Sequence, residues 1–499
     1  MNTLLNTSYG IVRKVRAASA YEFTGKPELQ TAVNLWVSNN ALALSTYGEI
    51  NTWDVSQVTD MSYLFINKAT FNDDISAWNV SNVTNMQGMF RNANAFNQSL
   101  SWNTSSVTTM ALMFRNATAF NQSIGDWNTS SVDNMTQLFY GAAAFNQDIG
   151  SWDVTGVTNM SYMFFSAIAF NQPLSWNTSS LVNMENMFNG ADTFNSTLTL
   201  DTSSVTNMGS MFSSADSFNQ PLAFDTSSVT NMYAMFSGAR AFNQPLTFNT
   251  SSVTDMSSMF YSTRDFNSAL TFDTSSVTNM SNMFGFANAF NQPLAFDTSS
   301  VTNMSSMFYS AGPFNSALTF DTSSVTNMNS MFRFAIAFNQ SLTFNTSSVT
   351  NMSSMFSGAS VFNQPLSFDT SSVTNMTYMF NDANAFNSTL TFDTSSVTNM
   401  NNMFQSAYAF NKSLSFDASS VTSMSGMFNG SGLSTVSYDP ILVYWENALQ
   451  VAFPGGTGYT PNISVSFGTA QYTNGSAANT ARTSLVSNFG WNITDGGGI

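Results

Sequence analysis

The chain has 499 residues, 12 of them Lys or Arg and 28 Asp or Glu, for a formal charge of −16. Charged residues are 8% of the total, far below the roughly 25% of an ordinary globular domain. With no Cys and no His, disulfides, thiol or imidazole catalysis, His/Cys zinc sites, haem ligation and iron–sulfur clusters are excluded, and the acidic balance argues against nucleic acid, whose phosphates need a basic footprint.

Residues 1–26 read as an N-terminal arm. Its short mixed stretch precedes Arg13, Lys14 and Arg16 instead of following them, so no secretory signal is visible. These three cations, set against an acidic molecule, predict an anchoring arm for self-assembly or for an acidic scaffold. No run of 18 apolar residues occurs, and no membrane span is expected. Residues 27–52 read as a capping segment, with helical spacing at Leu29, Val33, Leu35 and Trp36.

From residue 53 to 431 one pattern governs the chain: V-T-[ND]-M-x-x-M-F-x-x-A-x-x-F-N-x-x-L-x-F-[DN]-T-S-S. Its first Met recurs in sixteen copies, at Met61, Met86, Met110, Met135, Met160, Met184 and Met208, then every 24 residues from Met232 to Met424. Early copies of 25 residues carry one extra residue between the Leu/Ile and the aromatic, as in Ile75-Ser-Ala-Trp78. A period in the twenties signals a solenoid in which each coil buries its apolar face against its neighbours. Within the seventh copy, Val205, Met208, Met211, Phe212 and Ala215 predict one face of a short helix, capped by Ser203 and Ser204. Leu222-x-Phe224 predicts a short strand, pairing in parallel with the strands of adjacent coils.

The fold class expected is therefore an α/β repeat solenoid, short parallel strands on one side and short helices on the other, capped at both ends. Leu222-x-Phe224-x-x-Ser227-x-Val229 resembles a leucine-rich repeat with Ser in place of the usual Asn. A right-handed β-helix is the structural alternative, and the helical spacing of the Met residues counts against it. Residues 432–499 read as a C-terminal capping module: a helix over 439–448, a strand over 462–467, a helix over 477–489 and a last strand from Trp491.

Trp53-Asp-Val-Ser-Gln-Val-Thr-Asp-Met61, Trp152-Asp-Val-Thr-Gly-Val-Thr-Asn-Met160 and the ending from Ala481 to Gly497 are similar to the BspA-like leucine-rich-repeat surface proteins. The resemblance covers about residues 27–499 and implies a surface-exposed, non-catalytic interaction protein, on a cell or, as some members occur in viruses, on a virion. From Leu200 onward Leu or Phe replaces the strand Trp, a departure from the commonest form.

Three rows of polar residues need a role. The Asn after the second Phe recurs 15 times from Asn72 to Asn411. It reads as a ladder satisfying backbone groups between coils, with a ligand row as the competing reading. Asp201, Asp225, Asn249, Asp273, Asp297, Asp321, Asn345, Asp369, Asp393 and Asp417 read as turn residues, because Asn interrupts the row and no calcium-loop signature accompanies it. The Ser and Thr of D-T-S-S read as loop hydrogen bonding in preference to a hydroxyl array for ice or glycan.

Two residues directly after the M-F pair escape the consensus and carry types that dominate binding hot spots. They include Arg91, Arg115, Tyr140, Phe165, Tyr261, Phe286, Tyr309, Arg333 and Phe334. Arg91, Arg115, Tyr140, Phe165, Tyr261, Tyr309 and Arg333 are the predicted ligand-binding residues; packing over the next coil is the simpler account. Carboxylate-only glycoside cleavage remains formally open, with Asp73-Asp74 as an acidic pair. The repeats from Met184 to Met424 show no local break where charges cluster, so no catalytic residue, metal or cofactor is expected. The expected function is adhesion or receptor binding to a protein or glycan on a host or neighbouring surface. The alternatives are a structural spacer or lattice component and, more weakly, a carbohydrate-active enzyme.

Overall fold

The structure, a computed structural model, describes residues 20–499. The arm residues Arg13, Lys14 and Arg16 lie outside the described residues.

Each of the sixteen copies forms one coil, numbered here by its first Met from Met61 (coil 1) to Met424 (coil 16). The seventh coil shows how. Met211 N–H donates to the Met208 carbonyl at 3.2 Å, Ser213 to Ser210 at 3.1 Å and Ala215 to Phe212 at 3.1 Å, closing successive overlapping four-residue turns. The intervening N–H groups leave the coil: Met208 donates to Asn231 at 3.1 Å, Ser210 to Tyr233 at 2.7 Å, Phe212 to Met235 at 2.9 Å and Ser214 to Ser237 at 2.7 Å. Backbone donors thus alternate between a turn within the coil and the next coil along.

The helix expected over 205–215 is therefore replaced by a run of turns, and helices are confined to the two ends. The turns overlap, starting every two residues at 208, 210 and 212, and still bury Met208, Met211, Phe212 and Ala215 while Ser214 is exposed, the same apolar spacing that a helix would show. What breaks the helix is Ser210 and Ser214, both left-handed at φ 54°. Ser203 and Ser204 do not cap: Ser203 bonds Asp201, and the Ser204 hydroxyl donates to the Ser179 carbonyl at 2.9 Å.

On the opposite side the Leu-x-aromatic segment is extended, with its apolar residues inward. It forms a regular parallel pair where β1 (Leu174–Trp176) meets β2 (Leu198–Leu200), in the register Leu174↔Leu198. Among the described residues it forms a single bridge at two further places, Leu294↔Leu318 and Leu366↔Leu390, while the regular inter-coil bridges run along the Asn/Asp position before the first Met, from Asp60↔Asn85 to Asn399↔Ser423. The extra residue of the 25-residue coils becomes a turn, Trp78 N–H donating to the Ile75 carbonyl at 3.2 Å.

The interior consists of stacked columns. Phe65, Phe90, Phe114 and their equivalents follow one another at 5.3 to 5.8 Å with planes 1 to 11° apart. Each also stacks on the second Phe of its own coil, as Phe90 on Phe96 at 4.0 Å. The Met columns beside them are fully buried. In the early coils the strand Trp reaches the coil before, Trp127 Nε1 donating to the Leu100 carbonyl at 3.0 Å and Trp152 Nε1 to Ile124 at 3.0 Å. Phe has no such donor, so the later coils keep only the stacking.

A stack of open coils exposes unpaired backbone at each end. At the start, α1 (Lys26–Ser38) and α2 (Asn40–Tyr47) lie over coil 1. Gln30 donates to the Leu64 carbonyl at 2.9 Å and Lys26 pairs with Asp60 at 3.1 Å. The Asp73-Asp74 pair belongs to this closure: Trp36 Nε1 donates to Asp73 at 3.0 Å and Asn51 to Asp74 at 2.9 Å. At the far end come α3 (Thr435–Ala452), β3 (Ser464–Ser466), α4 (Ala477–Ser487) and β4 (Asn492–Thr494), with β3 and β4 parallel. Phe428 N–H of the last coil donates to Ser466 at 3.0 Å, and Phe467 stacks on Phe428 at 5.0 Å.

Phe290, fully buried, lies 5.9 Å from Phe266, 6.1 Å from Phe314 and 4.2 Å from Phe284. Phe290→Ala should cost about 3–5 kcal/mol, read as a lower midpoint in urea unfolding; an unchanged midpoint would contradict the column.

Candidate functional site

The polar rows resolve into inter-coil bonding. The Asn after the second Phe offers its Oδ1 to the backbone N–H of its equivalent in the next coil, as Asn72 to Asn97 at 2.8 Å and Asn363 to Asn387 at 2.7 Å. The row ends at Asn411, whose Oδ1 accepts from Ser434 N–H at the start of α3. The Thr of D-T-S-S is buried and donates onward, Thr250 to the Asp273 carbonyl at 2.8 Å. The preceding Asp closes an Asx turn: Asp273 Oδ1 accepts from Ser275 N–H at 3.1 Å and from its hydroxyl at 2.7 Å. The Ser hydroxyl, then its N–H, hold the carboxyls of Asp201, Asp225, Asp273, Asp297, Asp369 and Asp393 below the usual carboxylate range; at Asp321 the N–H of Ser323 leads.

The residues after the M-F pair form two separate groups on one flank. Coils 2 to 5 contribute Arg91, Arg115, Tyr140 and Phe165. The Arg115 guanidinium lies 4.4 Å over the Tyr140 ring and hydrogen-bonds Gln137, and Tyr140 stacks on Phe165 at 4.5 Å. Tyr162, which the sequence did not single out, joins them at 5.8 Å from Phe165. Coils 9 to 12 contribute Tyr261, Phe286, Tyr309, Arg333 and Phe334. Phe286 meets Tyr261 edge-on at 5.4 Å and Tyr309 at 4.9 Å, while Arg333 lies 5.0 Å over Phe334 and 5.8 Å over Tyr309.

Packing accounts for part of the second group. Tyr261 and Phe334 lie where a side chain on Gly285 or Gly358 of the next coil would clash. Two features go beyond packing. Nε of Arg91, Arg115 and Arg333 is buried without a hydrogen-bond partner, an uncommon state for a buried donor. Phe286 and Phe334 have φ of 55° and 57°, at a turn position where most coils carry Gly, Asn or Ser. For a bulky residue that backbone is a genuine outlier; Tyr63, Leu112, Tyr162 and Tyr378 adopt it as well, at the other left-handed position of their coils.

The expectation that coils from Met184 onward lack a charged break needs correction. Asp192, Asp216, Arg240, Arg264 and Asp265 occupy the positions between the Ala and the second Phe in coils 6 to 9. Arg240 pairs with Asp216 at 3.2 Å. Partial desolvation and then Asp216 raise the Asp192 carboxyl above its usual value, against the opposing effect of Arg240. The residues are 24 apart or nearly so, and only stacking makes them neighbours.

Seven overlapping segments, 34–124, 100–200, 175–270, 198–296, 246–343, 294–391 and 342–437, match the family described as Mycoplasma protein of unknown function, DUF285. The chain belongs to this family. No curated protein matches it. Among solved structures, it is similar to the chain in a TLR13–ssRNA13 complex, at 9% identity and a TM-score of 0.20, covering 79% of this chain and 56% of that one. It is also similar to the plant peptide hormone receptor RGFR1 in complex with RGF2, at 7% identity and a TM-score of 0.21, covering 88% and 68%. The chain thus spans little more than half the length of the first. No helix among the described residues is long and apolar enough to cross a membrane.

The Asx-turn row of this DUF285 member sets its acid response. A carboxyl held below its unfolded value near 3.9 contributes stability that is fully present above that value and lost as pH falls through the folded one. The melting temperature should stay level from about pH 7 to 5 and drop below about pH 4. Excess EDTA at neutral pH should leave it unaltered; a loss restored by Ca²⁺ would overturn the turn assignment.

Proposed function

We propose that the chain is a non-catalytic binding protein that displays its solenoid flank for adhesion or receptor binding on a cell or virion surface. The observation that carries this reading is the left-handed backbone at Phe286 and Phe334. Holding an aromatic residue there costs on the order of 1–3 kcal/mol, and Asn or Gly would fold the same turn without that cost. Phe334 is 37% exposed, so its ring is only partly repaid by burial. Both rings belong to a group with Tyr261, Tyr309 and Arg333, the residue types that anchor protein interfaces. Arg91, Arg115, Tyr140 and Phe165 form a second such group, and the resemblance to BspA-like surface proteins agrees with this role. A structural spacer would need neither group. The basic residues Arg13, Lys14 and Arg16 serve, in this reading, to hold the chain to an acidic scaffold or neighbouring copy.

Phe286→Asn together with Phe334→Asn should leave the melting temperature unchanged or higher, because relief of strain offsets the lost burial, while weakening attachment to target cells. Replacing Arg91, Arg115, Tyr140 and Arg333 by Ala should reduce attachment with the repeats still folded, measured by circular dichroism and a cell-binding assay. Undiminished attachment in both variants would leave the spacer as the better account. Deleting residues 1–19 should release the protein from its particle or oligomer in sedimentation without unfolding it; residues 21–23, expected to belong to the arm, must be kept, because Phe23 is buried in the core and its N–H donates to the Asp54 carbonyl at 2.9 Å.

A further inference from the structure

The bulky groups on the flank are separated by three coils of a different character. After the M-F pair, coils 6, 7 and 8 carry Asn189, Ser213 and Ser237, where the coils on either side carry Phe165 and Tyr261. The result is a surface concavity of about 490 Å³, lined among others by Asn189, Ser213, Tyr233, Ser237, Tyr261 and Asn282. A second, of about 370 Å³, adjoins it through the shared residues Ser237 and Tyr261 and is lined by Asp192, Asp216 and Arg240. Two departures from the repeat, small residues in one row and charges in another, thus coincide on the same coils. With coils stacked roughly 4.8 Å apart, the groove runs along several coil steps.

Its chemistry differs from that of the other polar rows. Thr and Ser of D-T-S-S donate to neighbouring coils or to the Asx-turn carboxylates. Among the described residues, the hydroxyls of Ser213, Ser237, Ser258, Tyr233 and Tyr261 donate to no other group, and all of them line the groove. Tyr233 is 47% exposed, offering an aromatic face at the side of a floor of hydroxyls and amides. At the edge, Asp192 and the Asp216–Arg240 pair supply acceptors and a donor. The lining is more polar than that of an ordinary small-molecule site, which suits a ligand that is itself rich in hydroxyls.

We propose that this groove binds a short, uncharged oligosaccharide. Sugar rings present a C–H face suited to Tyr233 and Tyr261, and their hydroxyls both donate and accept, matching free Ser and Tyr hydroxyls, Asn amides and two carboxylates. A neutral ligand fits the charge: the groove edge carries Asp192 and Asp216 against one Arg240, and a chain of −16 repels anionic glycans. This assignment rests on the reading of the flank as a binding face and names the ligand of its central part.

The test is saturation-transfer NMR and calorimetry on the full chain with four neutral probes, maltotetraose, cellotetraose, chitotetraose and lacto-N-tetraose, and two anionic ones, 3′-sialyllactose and trigalacturonate. At least one neutral probe should bind, and neither anionic probe should bind more tightly. Tyr233→Ala should weaken binding by about tenfold or more, since an exposed platform with its hydroxyl is lost. Ser213→Tyr with Ser237→Tyr should abolish it by filling the groove. The same position holds Tyr in coils 4, 9 and 11, so the solenoid accommodates that side chain. Silence from all four neutral probes, a preference for the anionic ones, or unchanged affinity in the filled variant would each overturn the assignment. Cell attachment of the filled variant separates the two readings: attachment through the flanking groups should survive the loss of sugar binding.

Discussion

Everything in this molecule depends on the alternation of backbone donors. Every second N–H along the M-x-x-M-F stretch closes a turn within its own coil, and the ones between bond the next coil. A helix would satisfy the same groups within one segment and leave this side of the coils joined by side chains alone. The turn ladder makes the backbone the joint, and the columns of Phe and Met then follow. Rings 24 or 25 residues apart must lie over one another at 5.3 to 5.8 Å because their peptide groups are already in register. Polar side chains extend the same principle, Asn72 to Asn411 carrying an acceptor from coil to coil and the buried Thr row a donor. Few charges are needed because few polar groups remain unbonded.

How much of this the sequence displayed depends on the length scale. The period, the extended Leu-x-Phe segment, the Asn ladder and the Asx turns follow from residue types at fixed spacing. Helices α1, α3 and α4 are legible in their apolar spacing, whereas that of α2 is too weak to announce a helix. The helix assigned to 205–215 failed because i, i+3, i+4 spacing is common to helices and to consecutive turns. The deciding signal was present, since the positions of Ser210 and Ser214 carry Gly, Asn or Ser in most coils, residues that tolerate a left-handed backbone.

The site was legible only in part. Arg91, Arg115, Tyr140 and Arg333 stood out as departures from a consensus, and the flank does gather them. Their division into two groups, and the groove between, could not be seen one position at a time. Asp192, Asp216, Arg240 and Arg264 are scattered along the chain and meet only because consecutive coils superpose. A sequence written with one coil per line, in columns, would have displayed both the charge cluster and the run of small residues beside it.

The same geometry explains why such departures are tolerated at all. Inward positions are fixed by the stacked columns, and the ladder positions by hydrogen bonds that any residue's backbone can make. The residues after the first Met, after the M-F pair and before the second Phe keep these backbone bonds but point their side chains away from the columns, so their side chains can vary. A strained Phe286 or a buried unpaired Arg115 Nε therefore draws on the stability of its own coil and its immediate neighbours. With fully stacked coils on either side, that local cost does not open the solenoid, and a binding surface can be assembled coil by coil without altering the scaffold that carries it.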